Sequence, residues 1–137
     1  MPRIERILET ALHVEDVERA KRFYETVIGL TPLFTDARLA AFDAGEKSIL
    51  LLFKKGASTT LMTLPGGAIP PHDGAGTLHF AFAIAAAELQ SWEDRLGANG
   101  VAIEARMEWP RGGKSLYFRD PDGHLLELAT PGVWPTY

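Results

Sequence analysis

The side chains able to do chemistry are few: four histidines at positions 13, 72, 79 and 124, the hydroxyls of Ser115 and Tyr117, and the carboxylates of Glu9 and Glu127 beside apolar runs. Cysteine is absent. Disulfides, thiolate metal sites and a cysteine nucleophile are therefore excluded, and any metal must be held by His, Asp or Glu. Glu9 and His13 lie four residues apart, a spacing that puts both on one face of a strand. Alternation along the last hairpin puts Ser115, Tyr117 and Glu127 on a common face if no bulge intervenes. His72 follows Pro70-Pro71 in a glycine-rich stretch, and Trp109-Pro110-Arg111-Gly112-Gly113 leads into the strand of Tyr117. As loops, both are candidates to close over an anionic or aromatic ligand and exclude water. Taken singly, each has an ordinary reading as well. Glu9 suits a solvated strand, His79 a core histidine, Glu127 a carboxylate paired with arginine, Tyr117 a packing residue, and the loops simple solvated connections.

The elements that must position these residues come in a repeated order. Residues 6–15 read as a strand, and Asp16 is placed to cap a helix running to about residue 28, with Val17, Ala20, Tyr24 and Val27 on its buried stripe and Gly29 just past its end. Strand-like stretches follow at 31–35, 38–43 and 47–54. Residues 55–76 are dense in glycine and proline, which predicts a linker or mobile loop. A strand at 77–84 and a helix at 86–98 with Leu89, Trp92 and Leu96 on one face then begin a second round, and strands at 102–108, 114–119 and 124–129 complete it. Asp120-Pro121-Asp122-Gly123 marks a tight turn between the last two. The expectation is one α+β domain over 1–137, made of a module at about 5–56, a linker at about 57–76 and a module at about 77–130. Phe42, Phe53 and Phe82 are expected in the core, Trp134 packed against its own domain or a second copy, and His124 turned away from the site.

Composition sets the outer bounds. With 137 residues, 46% apolar and 23% charged, the chain has the make-up of an ordinary globular domain. A formal charge of −4 without a basic run offers no footprint for nucleic acid or an anionic membrane. The longest apolar stretch, Ile49 to Phe53, is far too short for a spanning helix, and the charged start Met-Pro-Arg-Ile-Glu-Arg is unlike a signal peptide, so a cytoplasmic location is expected.

Three stretches together resemble the vicinal oxygen chelate superfamily, which includes glyoxalase I, extradiol dioxygenases, fosfomycin-resistance transferases and bleomycin-resistance proteins. They are Leu12-His13-Val14-Glu15-Asp16 leading to Phe23-Tyr24 and Ile28-Gly29-Leu30, then His79-Phe80-Ala81-Phe82, then Ser115 to Gly123 ending at Glu127. The resemblance implies two βαβββ modules forming a cupped mixed sheet with helices on the convex face, commonly in a homodimer. It implies metal ligands on the first and fourth strand of each module, at Glu9, Leu50, His79 and Glu127. Glu9 takes the first position because the family's ligand lies seven residues before the capping Asp16. Leucine cannot coordinate, so a glyoxalase I assignment weakens and a Glu9, His79, Glu127 trio remains, with open coordination positions for a substrate's adjacent oxygens. Such a donor set suits one divalent ion, manganese, iron or magnesium first, with zinc, cobalt and nickel compatible.

On this resemblance the expected function is a metal-dependent small-molecule enzyme in which Glu9 or Glu127 doubles as a base and His13, Ser115, Tyr117, Trp109, Arg111 and His72 contact substrate. A metal-free, bleomycin-resistance-like binding protein is the rival. Fosfomycin-type thiol transfer ranks below both, because Glu9 replaces the first histidine and Met107 stands where a substrate-binding lysine is expected. Glu9 likewise weakens the dioxygenase reading.

Overall fold

The order strand, helix, three strands occurs twice, and it does so because the same local signals recur. The computed structural model describes residues 1–137 in two compact units, Met1–Gly76 and Thr77–Tyr137. In the first unit β1 (Glu9–Val14) leads to α1 (Val17–Phe23). Asp16 caps that helix by accepting from the Arg19 backbone N–H at 3.0 Å, a bond that also holds its carboxyl below the usual range. The helix loosens into a π-turn over Tyr24–Ile28, closed by Gly29 at φ 85°, a left-handed value that favours glycine. Val17, Ala20, Tyr24 and Val27 are all buried along one stripe.

Strands β2 (Thr31–Thr35), β3 (Leu39–Asp43) and β4 (Ile49–Lys54) complete a sheet in the order β1-β4-β3-β2, with β1 parallel to β4. Its two faces differ. Leu12, Leu52 and Ala40 are register partners, as are Thr10, Leu50 and Phe42, and Tyr24 of the π-turn lies 6.2 Å from the Phe42 ring. This face is therefore covered by the helix. Glu9, Ala11 and His13 take the other face, opposite Ile49, Leu51 and Phe53.

Leu50 accordingly does not stand beside Glu9. It is 2% exposed in the core on the helix side, and the fourth-strand residues on the Glu9 face are Ile49, Leu51 and Phe53. Because side chains alternate, a one-residue slip of assignment moves a position to the opposite face. The strand still brings no ligand to that face, since all three are apolar.

Residues 55–76 are not a bare linker. Met62–Leu64 (β5) and Gly67–Ile69 (β6) pair as a hairpin across Pro65-Gly66, and His72 N–H bonds to the Ser58 carbonyl at 2.9 Å. Glycine and proline density marked the turns of a small element rather than its absence.

The second unit repeats the pattern with β7 (His79–Ala83), α2 (Leu89–Ala98) after a short 3₁₀ turn at Ala86–Glu88, β8 (Ala105–Glu108), β9 (Lys114–Arg119) and β10 (Leu125–Ala129). The order is β7-β10-β9-β8, with β7 parallel to β10. Leu116, Phe118, Leu126, Leu128 and Leu96 form its core. Glu93 of α2 reaches Arg106 of β8 at 3.0 Å, and Arg106 is the register partner of Leu116, so the helix lies over the Leu116 face. The chain is thus α+β with two βαβββ modules. No helix is long and apolar enough to cross a membrane.

Candidate functional site

The uncovered face of the second sheet carries His79, Glu127, Tyr117 and Ser115, and the backbone explains why they meet. His79 is opposite Leu125, while Glu127 is opposite both Ala81 and Tyr117. The start of β7 is clamped to β10 from two sides. Leu125 N–H donates to the Leu78 carbonyl at 2.8 Å, and Leu78 N–H donates to His124 Nδ1 at 2.9 Å. His124 is 1% exposed and comes straight after the Asp120–Gly123 turn, where Gly123 adopts φ 82° and Asp120 Oδ1 accepts from the His124 N–H. Its ring thereby ties down Leu78, the residue that precedes His79.

His79 itself is fixed in tautomer. Nδ1 lies 2.8 Å from the Leu125 carbonyl oxygen, and a carbonyl can only accept, so Nδ1 carries the proton and the neutral ring has its lone pair at Nε2. Nε2 faces Glu127 Oε2 at 3.3 Å. In the neutral ring two lone-pair atoms face each other, an arrangement that a cation between them satisfies.

Glu127 is 6% exposed and held through its other oxygen. Oε1 accepts a short hydrogen bond from Ser115 Oγ and a second from Tyr117 Oη at 3.2 Å. Ser115 in turn accepts from Trp109 Nε1 at 2.8 Å, so the donors run Trp109 to Ser115 to Glu127. The buried carboxylate is oriented by two hydroxyls, with Oε2 left to the His79 side. Burial first, and the Glu127 charge second, push the Tyr117 phenol above its ordinary value, so it stays a donor well into alkaline solution.

Several expectations change here. Trp109 does not belong to a mobile cover. Its backbone closes a turn with Gly112 and Gly113, and Gly113 lies so close to Gly132 that an added Cβ would come 2.6 Å from the Gly132 carbonyl carbon. Its indole stands behind the carboxylate, while Arg111 is exposed at the tip of that turn. Trp134, expected to pack on its own domain or a second copy, is 68% exposed and so does not pack on its own unit, while Tyr137 ties down the last residues, with its hydroxyl 2.6 Å from the Ala129 carbonyl. Trp134 borders a small cavity of about 150 Å³ with Glu127, Ala81 and Ala83.

The first unit gathers different groups. Glu9 is exposed at the start of β1. His13 is buried, stacked at 5.9 Å on Phe53, and His72 meets the same Phe53 ring edge-on at 4.6 Å. Gly74 passes so near that a Cβ would come 2.5 Å from the His13 ring. Within neither unit do three His, Asp or Glu side chains gather closely enough to hold an ion by themselves. The sequence did not disclose the Leu125 carbonyl, the Trp109 to Ser115 bond or the role of His124. The first is backbone and carries no letter, and the others depend on how turns fold back.

Residues 6–128 match the model of the Glyoxalase/Bleomycin resistance protein/Dioxygenase superfamily. A metallothiol transferase, FosB, of Staphylococcus saprophyticus is 30% identical over 128 residues, covering 93% of this chain and 78% of that protein. The crystal structure of a lactoylglutathione lyase from Agrobacterium tumefaciens superimposes with a TM-score of 0.87 at 33% identity, covering 96% of this chain and 98% of that one. The fosfomycin resistance protein FosX from Mesorhizobium loti superimposes with a TM-score of 0.65 at 26% identity, over 93% of each chain.

Proposed function

The chain belongs to the glyoxalase/bleomycin resistance protein/dioxygenase superfamily, and from that premise we propose that it is a metal-dependent enzyme acting on a small molecule with adjacent oxygens. The observation that carries this reading is the facing of His79 Nε2 and Glu127 Oε2 at 3.3 Å, with the ring tautomer set by the Leu125 carbonyl. An imidazole oriented by a carbonyl and a carboxylate oriented by hydroxyls are a donor pair suited to a divalent cation. His79 and Glu127 hold the ion in this reading, with further coordination positions left to substrate. A bound divalent ion supplies Lewis acidity to the oxygens of a substrate.

The other residues have supporting roles. Ser115 and Tyr117 keep Glu127 oriented, and because both engage Oε1 the carboxylate acts as a fixed ligand rather than a base that swings away. Tyr117, protonated at neutral pH, presents a hydroxyl to a bound substrate. His13, His72 and Arg111 remain proposed substrate contacts.

The finer reading concerns the substrate. The relatives named metallothiol transferase and lactoylglutathione lyase share a thiol in their names. We therefore place a thiol, or a thiol adduct, among this enzyme's substrates, which moves thiol transfer above the low rank that the sequence alone suggests. The test is turnover by chelator-treated protein resupplied with manganese, nickel or zinc, using fosfomycin with a low-molecular-weight thiol in one assay and the glutathione adduct of methylglyoxal in the other. Metal-dependent consumption of thiol with fosfomycin, lost in Glu127→Gln, is expected. Turnover of the adduct alone replaces transfer with isomerisation. No turnover in either, together with no metal uptake, refutes the enzyme reading.

A further inference from the structure

A second cavity, of about 360 Å³, lies wholly inside the first unit and uses none of the His79 and Glu127 machinery. Its floor is Phe53 and its walls include Leu61, Met62, Ile69, Arg38 and His72. The hairpin formed by β5 and β6 supplies Met62 and Ile69. This volume falls within the range of about 300–1,000 Å³ typical of small-molecule sites.

Arg38 is the unusual member. Its guanidinium lies 5.7 Å from the centroid of the Phe53 ring, with Nη1 3.4 Å from Ser58 Oγ and Nη2 3.8 Å from Met62 Sδ. No carboxylate is among these contacts. Asp36, the nearest acid in sequence, accepts from the Arg38 and Leu39 backbone N–H groups at 2.8 Å each, and the Arg38 charge also helps to hold its carboxyl below the usual range. The hydrogen bonds of this half-buried guanidinium thus go to a hydroxyl at long range and to a thioether, a weak acceptor, which leaves most of a planar fork of donors unused. Its flat face is supported by an aromatic ring, which holds the fork in place. His72 sits edge-on to the same ring and adds a second polar group at the wall. The remaining surface is aliphatic or thioether.

From this arrangement we infer that the first unit binds an organic anion, a carboxylate or phosphonate carried on an apolar body, with the anionic group on Arg38 and the body between Phe53 and the β5–β6 hairpin. A guanidinium fork matches such groups through paired hydrogen bonds, and the apolar walls match the remainder. The inference does not depend on the metal reading, since no residue of the donor pair lines the cavity.

The experiment is a heteronuclear NMR titration of the full chain in excess chelator with 4-phenylbutyrate, phenylphosphonate and the neutral 4-phenylbutyramide. Saturable binding of at least one anion is expected, with shifts at the Arg38 side-chain Nε–H and at Leu61, Met62 and Ile69. The amide should bind about tenfold more weakly, the loss expected for one charge-assisted hydrogen bond. Arg38→Gln should weaken the anion to the level of the amide, Arg38→Lys should recover part of the difference, and Glu127→Gln should change nothing. The relative strength of the carboxylate and phosphonate arms then assigns the anion class. Failure of both anions to bind, shifts confined to other residues, or an Arg38→Gln protein that folds and binds the anion unchanged would each overturn the inference.

Discussion

The two units share one topology and present different chemistry, and register shows where they part. In the second unit His79 opens β7 opposite Leu125, and Glu127 follows two residues on along β10. In the first, Glu9 opens β1 opposite Ile49, and Leu51 follows two residues on along β4. Leu51 is thus the counterpart of Glu127. One unit has two donors at corresponding places and the other has one donor and a leucine. The βαβββ scaffold offers the positions, and the side chains at a pair of register sites set the chemistry that each open face presents.

Making the second unit resemble the first is the severest way to break that contrast. Glu127→Leu should lower affinity for manganese, measured by calorimetry, by about a hundredfold or more, because a ligand and its hydroxyl supports are lost together. Undiminished binding would show that the ion sits elsewhere. Ser115→Ala comes next. It removes the acceptor of Trp109 Nε1 and a donor to Glu127 Oε1, both at a buried serine, and should cost about 1–3 kcal/mol in denaturant unfolding. It should also weaken metal binding about tenfold, the low end for a supporting contact.

Gly74→Ala tests the independence of the first unit. Its Cβ would meet the His13 ring at 2.5 Å, so stability should fall by about 1–3 kcal/mol through overpacking while manganese affinity at the donor pair stays unchanged. A matching loss of metal affinity would sink the separation of roles. The smallest effect is expected from pH. The Tyr117 phenol is raised above its ordinary value of 10.0, so it binds its proton more tightly in the folded chain. The stability it contributes is present below about pH 10 and lost as pH rises through the raised value. Unfolding midpoints of wild type and Tyr117→Phe should therefore converge in strong alkali, and parallel curves would contradict the cause assigned.

What the sequence disclosed follows from where the signals lie. The helix over 17–28 was legible because a cap, a stripe and a terminal glycine agree, and strand 114–119 because a turn brackets it. That Ser115, Tyr117 and Glu127 share a face was readable from alternation, since no bulge interrupts β9 or β10. Leu50 was misplaced by one residue because a continuous apolar run, Ile49 to Phe53, has no polar alternation to mark its faces. The β5–β6 hairpin was hidden among turn residues. Of the two places expected for Trp134, its own unit is not the one, because Tyr137 offers a hydroxyl that satisfies a carbonyl and so becomes the anchor there.

The central claim is that His79 offers an Nε2 lone pair toward Glu127, and long-range proton–nitrogen NMR of the imidazole tests it most directly. Signals assigned to His79 by their loss in His79→Ala should report the tautomer protonated at Nδ1 near neutral pH. Adding zinc should shift Nε2 while Nδ1 keeps its proton. A proton resident on Nε2, or a ring unaffected by zinc, would contradict the account.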